Sequence, residues 1–351
     1  MDRYIGIDVH AQSCTVAVLG PTGKQLWSTV VETNGEALVR TVSGVAGRRH
    51  ICFEEGTQSA WLHELLEPYA EEIVVAVPPA RQVGSKSDAI DAWQRADELR
   101  LGKIERPVFK RPTEFVGLRQ AVRAHFMIVQ DVIRTKNRAK SIFRSRGIQC
   151  PGQEVYNSKK ADRWLDQLPA HHRELAEFLL DETRALEELR DRAEQRLEHE
   201  ARKHAIVQRL ATAPGIGSIR AAQIVATVVT PHRFRTKRQF WSYCGLGIVT
   251  RSSADWVRAG DKWVRAKVAQ TRGLNRNRNS LLKMVFKGAA VTVIRNLPDH
   301  PLCADYHRKL AAETKPNLAR LTLARRIAAA VLALWKNQED YDPVKHCAKK
   351  D

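Results

Sequence analysis

The sequence predicts an α/β domain, then a long helical arm, then a mainly α-helical domain. Three observations support this prediction. The first hundred residues alternate short strand patterns with helix patterns, as in a sheet flanked by helices. Two long helical patterns follow, separated by a segment that contains Pro and Gly. The last part combines helical patterns with a polar, loop-rich stretch. These changes divide the chain into segments 1–105, 106–205 and 206–351.

The first segment begins with three strand patterns joined by short turns. Gly20-Pro21-Thr22-Gly23 is a strong turn signal between the second and the third. Helix, strand, helix, strand and helix patterns then alternate, and Asn34 is placed to cap the first of these helices. This order is that of the ribonuclease H fold, a mixed sheet with flanking helices. The predicted strands are 3–9, 13–19, 25–31, 50–54 and 72–77, and the predicted helices are 34–45, 59–69 and 88–101.

The second segment contains two long helical patterns, from Pro112 to Arg146 and from about His171 to Lys203. Together they predict an antiparallel coiled-coil arm, which serves as a spacer or a dimerisation element. An ordinary helical hairpin with solvated charges is the alternative. Leucines on one side of the second helix form its predicted apolar stripe: Leu175, Leu179, Leu186, Leu189 and Leu197. Basic residues of the first helix are predicted to bind nucleic acid: Arg134, Lys136, Arg138 and Lys140.

Positive charge is concentrated in two blocks of the chain. The formal net charge is +19, and Lys103 to Arg146 contains 12 basic residues against 3 acidic ones. Gly215 to Arg295 contains 16 against 2. Because each neutralised phosphate releases counterions, such blocks favour a nucleic-acid partner over an anionic membrane surface. Six scattered cysteines and the lack of a signal-peptide pattern predict a cytoplasmic protein that has no membrane partner.

Four acidic residues of the first segment are predicted to form a metal site. Asp8 lies in the apolar first strand, where an unpaired acid is costly. Glu54 ends the fourth strand, which lies beside the first in this fold, although Glu55 remains an alternative. Asp88 and Asp91 are three residues apart and share one helical face, but each alone also suits a helix start. Converging carboxylates repel each other, so they are predicted to bind Mg²⁺ or Mn²⁺ and to act on a phosphodiester.

The third segment contains a Gly-x-Gly turn at Gly215 and Gly217, before a helical pattern from Ser218 to Val228. Such a turn lets backbone N–H groups approach a phosphate, as in helix-hairpin-helix DNA-binding motifs. A tight turn between packed helices is the alternative interpretation. Arg251 is a further predicted nucleic-acid contact, beside a polar stretch that contains two serines.

The chain resembles the DEDD-type insertion-sequence transposases, whose N-terminal domain is like the RuvC Holliday-junction resolvases. The resemblance rests on Tyr-Ile-Gly-Ile-Asp at 4–8, Lys-Ser-Asp-Ala-Ile-Asp-Ala at 86–92, Pro-Gly-Ile-Gly at 214–217 and Tyr-Cys-Gly-Leu-Gly-Ile-Val at 243–249. It implies that Asp8, Glu54, Asp88 and Asp91 are the catalytic acids, with Mg²⁺ or Mn²⁺ bound. It also implies that Ser253 is a catalytic nucleophile that forms a covalent phosphoserine with DNA.

The resemblance also implies the partners of the protein. Donor and target DNA are the substrates of phosphodiester transfer, a structured guide RNA is held by the basic arm, and the protein is a homodimer or homotetramer associated with a bacterial nucleoid. Ala254 stands where the family usually has Gly, and Leu274 to Asn279 replaces a stretch with Lys and Gly, so Ser252 is an alternative nucleophile. A junction-resolving endonuclease that uses water, or an inactive nucleic-acid-binding relative, is the alternative function.

Overall fold

The computed structural model describes residues 1–77, 87–104, 114–150, 152–157, 160–251, 256–265 and 270–347. The chain forms two compact units, Met1–Glu114 and Phe115–Asp351. The division into three segments therefore stays a prediction. Among the described residues, no helix combines the length and the apolar character that a membrane crossing requires.

A five-stranded mixed sheet forms the centre of the first unit, and its order β3-β2-β1-β4-β5 confirms the predicted fold class. The strand β1 pairs antiparallel with β2 and parallel with β4. The first and fourth strands are therefore neighbours, as the fold required. The strands are β1 (Asp2–Val9), β2 (Ser13–Leu19), β3 (Gln25–Glu32), β4 (Arg48–Glu54) and β5 (Glu72–Ala76).

Three helices cover the two faces of this sheet: α1 (Gly35–Ser43), α2 (Ser59–Leu66) and α3 (Asp88–Arg100). The side chain of Asn34 accepts a hydrogen bond from the backbone N–H of Ala37 at 2.8 Å, so the predicted cap of α1 is present. Apolar residues of α1 and α2 pack with alternate strand residues, among them Ile5, Ile7, Ile51 and Phe53. The helix α3 contacts β1, β2 and β4 on the opposite face.

The helix α3 lies directly on the backbone of β1 because position 6 is a glycine. A Cβ atom at Gly6 would be 1.9 Å from the carbonyl oxygen of Ala92 and 2.7 Å from the backbone nitrogen of Ala96. Both alanines are fully buried. Three small residues therefore allow the close contact that brings the first turn of α3 to the end of β1.

Gly6→Ala is expected to destabilise the protein by about 3 kcal/mol, near the upper end of the usual cost of an overpacked core. The added methyl group has no space unless α3 moves away from β1. Urea unfolding measures the effect. Gly20→Ala is the matched control, because a Cβ there would have its nearest contact at an ordinary 3.7 Å. Equal stability of the Gly6→Ala variant and the wild type would show that α3 does not pack in this way.

The second unit begins with an antiparallel helix pair, α4 (Val116–Ser145) and α6 (Ala170–Arg202), as predicted for the arm. Leu118 near the start of α4 belongs to the same core as Leu197 near the end of α6. Phe143 near the end of α4 packs in one cluster with Ala176 and Leu180 of α6. A short helix, α5 (Asp162–Leu165), lies between the two long helices in the chain and contributes to that cluster.

The apolar stripe predicted for α6 was partly wrong. Leu175 and Leu189 have 52% and 43% of their surface exposed. The buried positions of this helix are Ala176, Leu180, Thr183, Leu197 and Ala201. Their spacing of three and four residues is that of a coiled-coil seam, but the middle of the seam carries charged residues. In this middle part, an ion pair joins the two helices: Nζ of Lys136 in α4 lies 2.6 Å from a carboxylate oxygen of Glu187 in α6.

The rest of the second unit is mainly helical and packs around one apolar core. Its helices are α7 (Ala205–Ala211), α8 (Ser218–Val228), α9 (Lys237–Tyr243), α10 (Ser280–Asn296), α11 (Pro301–Ala311), α12 (Pro316–Asn337) and α13 (Pro343–Cys347). The stretch that the sequence analysis treated as loop-rich contains two small antiparallel ribbons. These pair β6 (Ile248–Arg251) with β9 (Gln270–Leu274) and β7 (Trp256–Ala259) with β8 (Lys262–Arg265).

The ribbons were missed because their strands are only four or five residues long. In β7 and β8, Trp256 and Trp263 are 56% and 65% exposed, so these aromatic residues do not mark a buried face. A usable signal was present in the alternating aromatic and β-branched residues on either side of Gly260.

Candidate active site

Asp8 lies at the end of β1, on the face of the sheet that α3 covers. Side chains alternate along a strand, so Asp8 shares this face with Gly6, the contact point of α3. The side chain of Asp8 is 18% exposed, which leaves it open at one edge. On the neighbouring strand, Glu54 points to the same side, because it contacts Arg95 of α3.

Asp88 and Asp91 occupy the first turn of α3. The residue that caps this helix by position is Ser87, so Asp88 is already its first helical residue. Burial raises the pKa of the Asp8 carboxyl, and the negative charges of Asp88 and Asp91 raise it further, although His10 acts in the opposite direction. Three of the four predicted acids therefore lie close enough to repel one another.

The structure adds His10, which the sequence analysis did not single out. Its Nε2 atom is 3.1 Å from an oxygen of Asp8 and 3.4 Å from an oxygen of Asp88. The turn after β1 is held in place by a 3.0 Å bond from the backbone N–H of His10 to the carbonyl of Ser13. The hydroxyl of Thr33 also donates to the carbonyl of His10 at 2.8 Å. The spacing Asp-x-His at the end of a strand was the signal that could have identified it.

Glu54 is engaged differently from the other three acids. Its carboxylate accepts a 3.0 Å hydrogen bond from Nε of Arg95, and the Nη2 atom of the same guanidinium also donates to it. Arg95 is buried and pairs with Glu98 as well. The neighbouring Glu55 is exposed, and its backbone N–H donates to the carbonyl of Ala76. Glu54, and not Glu55, thus lies on the face of the sheet that α3 covers, where an ion pair with Arg95 holds its side chain.

The donor atoms at the end of β1 fit a divalent cation. One ligand atom each from Asp8, His10 and Asp88 lie within 4.8 Å of one another. Burial of the Asp8 carboxyl, together with the negative charges of Asp88 and Asp91, raises its pKa, and a bound cation would relieve this cost of holding the charged form. Carboxylate oxygens suit Mg²⁺ and Mn²⁺, and an imidazole nitrogen favours the softer of the two, Mn²⁺.

The Gly-x-Gly turn of the second unit combines a packed residue with an exposed one. Gly215 has φ +73°, and a Cβ atom on it would be 2.5 Å from the carbonyl of Ala289 in α10. Arg220 donates to the Gly215 carbonyl at 2.6 Å and so closes the turn. Gly217 precedes α8, is exposed and faces open space. The first glycine is thus required by helix packing, whereas the second leaves the start of α8 accessible.

Most of the basic side chains of α4 that are predicted to bind nucleic acid already have partners within the arm. Besides its ion pair with Glu187, Lys136 lies over the ring of Tyr156 at 5.0 Å. Lys140 donates to the carbonyl of Gly152 at 2.5 Å, and Arg134 pairs with Asp131. Arg138 is exposed on α4. Of the four, only Arg138 has no side-chain partner among the described residues.

The two predicted nucleophiles, Ser252 and Ser253, lie outside the described residues, as does Ala254. Arg251 ends β6, and its backbone is paired in register with Gln270 of β9. The roles of these residues stay predictions.

Comparisons with known proteins agree with this fold. A transposase family model of the DEDD type matches residues 5–146. A second model, described as the transposase IS116/IS110/IS902 family, matches residues 207–300. A probable family 20 transposase of Pseudomonas aeruginosa is 27% identical over 177 residues, which cover 50% of this chain and 49% of that protein. The match thus spans about half the length of this relative.

The ribonuclease-H-like sheet, with its acids beside the end of β1, and the helical unit are each matched by a transposase family model. The two family models cover the sheet with the start of the arm and the helical core of the second unit. The chain belongs to the IS110-type DEDD transposases.

Proposed function

We propose that this protein is a transposase that cuts and rejoins the DNA of an insertion sequence by phosphodiester transfer. The observation that carries the proposal is the convergence of Asp8, His10 and Asp88, with the charge of Asp91 close by, at the end of β1. Membership of the IS110-type family supports DNA as the substrate. The excess of positive charge, +19 in total, supports a polyanionic partner.

Asp8, Asp88 and Asp91 are the residues proposed to hold Mg²⁺ or Mn²⁺, and His10 adds a nitrogen ligand. When bound, the cation would supply electrostatic stabilisation at the phosphodiester that reacts. Glu54 remains the fourth proposed ligand. Its carboxylate is neutralised by Arg95 in this structure, so the ion pair would have to open before Glu54 could take part. Arg95 is thus proposed to hold Glu54 in place until the substrate arrives.

Ser253 is the proposed nucleophile, and Ser252 is the alternative. The hydroxyl oxygen of the serine would form a bond to the phosphorus of a DNA phosphodiester, while the bond between that phosphorus and a deoxyribose oxygen breaks. The released deoxyribose hydroxyl takes up a proton. Attack by the hydroxyl of a second strand would then reverse the step, free the serine and join two strands. The energy of the phosphodiester is conserved in the serine ester.

A structured guide RNA on the arm and a homodimer or homotetramer are the proposed partners. The arm supports this proposal through its length and its basic face, on which Arg138 is exposed. Lys136 and Lys140 already have partners within the protein, so they would bind RNA only by sharing those contacts.

The central experiment detects a covalent protein–DNA product. Protein purified with its bound nucleic acid is incubated with DNA of the element ends, and adducts that resist denaturation are counted. We expect adducts with Mg²⁺ or Mn²⁺ and none with EDTA, because the acids at the end of β1 act only with a cation. RNase treatment before the reaction is expected to remove activity if RNA guides the protein.

Other outcomes would identify the alternative functions. Cleavage without an adduct would indicate a junction-resolving nuclease that uses water. Binding of DNA without cleavage, under conditions in which Mn²⁺ also fails to bind, would indicate an inactive relative.

A further inference from the structure

A pocket of about 490 Å³ opens in the second unit between α10, α12 and the β6–β9 ribbon. Its volume lies within the range of roughly 300–1,000 Å³ that is usual for ligand sites. The apolar part of its lining, which we call the floor, consists of Ile248, Leu274, Leu318 and Leu321. The cationic part, which we call the rim, consists of Lys283, Lys287, Arg320 and Arg325.

The positive charge of this rim has no counterion among the described lining residues, none of which is acidic. Burial lowers the pKa of Lys283, and the nearby charges of Arg278 and Lys287 lower it further. The Nε atom of Arg320 and the Nη2 atom of Arg325 are buried without a hydrogen-bond partner in the described part of the chain. Buried donors without partners are costly, so the rim has the properties of an anion site.

A second cavity of about 550 Å³ shares Lys283, Lys287 and Arg320 with the first pocket. The same three cations therefore line two neighbouring depressions. A nucleic-acid strand that passes over them would contact the cations with successive phosphates and could place a base in the pocket.

The combination of an apolar floor and a cationic rim narrows the choice of ligand. The backbone of a paired duplex needs cations but no apolar pocket. A nucleotide outside a duplex has both an anionic phosphate and a flat base that must be buried or solvated.

We propose that this pocket takes one unpaired nucleotide of a DNA strand, with the base on Leu318 and Leu321 and the flanking phosphates on Lys283, Lys287 and Arg320. The choice of DNA rests on the proposed function.

The test compares three DNA duplexes of one sequence: fully paired, with one bulged 2-aminopurine, and with an abasic site in place of that bulge. Binding is measured by anisotropy, and base burial by 2-aminopurine fluorescence, both in EDTA. Wild-type protein is expected to bind the bulged duplex about tenfold more tightly than the other two, as is typical of one buried base.

Two variants separate the floor from the rim. Leu318→Trp fills the pocket and should remove the preference for the bulge, while paired DNA binds as before. Leu318 is 55% exposed, so the larger side chain should not disturb folding. The double variant Lys283→Ala, Lys287→Ala should weaken binding of all three duplexes. The slope of log affinity against log salt concentration should fall by about two, one for each lost phosphate contact. Arg295→Ala, an exposed charge on α10 away from the pocket, is the control and should retain the preference.

Equal affinity of the wild type for the three duplexes would overturn the proposal, and so would a bulge preference that survives Leu318→Trp. Tighter binding of the matching RNA bulge would overturn the assignment to DNA. Because EDTA prevents catalysis, the result is independent of strand cleavage. An inactive protein that keeps the preference would contradict the proposed function only, whereas an active protein without it would contradict the pocket.

Discussion

Asp8→Asn is expected to reduce DNA strand cleavage by about a thousandfold, which corresponds to about 4 kcal/mol of transition-state stabilisation. The Asp8 side chain is more buried than that of Asp88, with 18% against 60% of its surface exposed, and it lies at the end of β1 beside the first turn of α3. An amide of the same shape keeps the packing but removes the charge that a cation requires. Cleavage of labelled element-end DNA in Mn²⁺ gives the rate.

The same variant should separate metal binding from folding. Without a cation, Asp8→Asn is expected to be at least as stable as the wild type, because it removes a charge that Asp88 and Asp91 repel. Mn²⁺ should raise the melting temperature of the wild type and leave that of the variant unchanged. Electron spin-echo spectroscopy of bound Mn²⁺ in the wild type should also detect the nitrogen of His10.

The matched control is Asp97→Asn, an acid of the same helix that pairs with Arg100 and lies outside the acidic group. It should bind Mn²⁺ and cleave DNA as the wild type does. Normal cleavage by Asp8→Asn would contradict the proposed site. A loss of cleavage in both variants would indicate that the effect comes from α3 as a whole and not from the cation.

Ser253→Ala is expected to abolish the covalent adduct and strand exchange, because alanine lacks the hydroxyl oxygen that attacks the phosphate. Binding of nucleic acid and of Mn²⁺ should persist, since neither depends on this hydroxyl. Gel analysis of denatured reactions with labelled DNA measures the adduct. Ser252→Ala, which differs by one position in the same stretch, should form it at nearly the normal level.

The pair of serine variants also decides between the two candidate nucleophiles. If Ser252→Ala alone lost the adduct, Ser252 would be the nucleophile. If both single variants recombined normally, the serine mechanism would be wrong. Peptide mapping of the wild-type adduct identifies the modified residue independently.

Much of the first unit could be predicted because its signals are local. Turn residues, strand alternation and the Asn34 cap each act over a few positions, and together they specify the order of the elements. That order places β1 beside β4, and it therefore predicts that Asp8 and Glu54 are neighbours. The arm was predictable as two antiparallel helices for the same reason.

The seam of the arm was not predictable to the same degree. The leucine pattern predicted that Leu175 and Leu189 are buried, yet both are exposed, and Ala176 and Thr183 are among the residues buried instead. Which face of a helix is buried depends on how closely its partner approaches. Paired charges such as Lys136 and Glu187 can occupy positions that hydrophobicity alone would assign to apolar residues.

Local sequence patterns are sufficient to predict the ribonuclease-H-like order, the two long helices and the acids where β1 ends beside α3. Alternation along β1 and the spacing of Asp88 and Asp91 require only short-range geometry. Three features appear only in the folded molecule: His10 joins Asp8 and Asp88, Arg95 neutralises Glu54, and four cations line one pocket together with four apolar side chains. These contacts join residues that are distant in the chain or lie on different elements, and their energies depend on burial and distance, which local patterns do not encode.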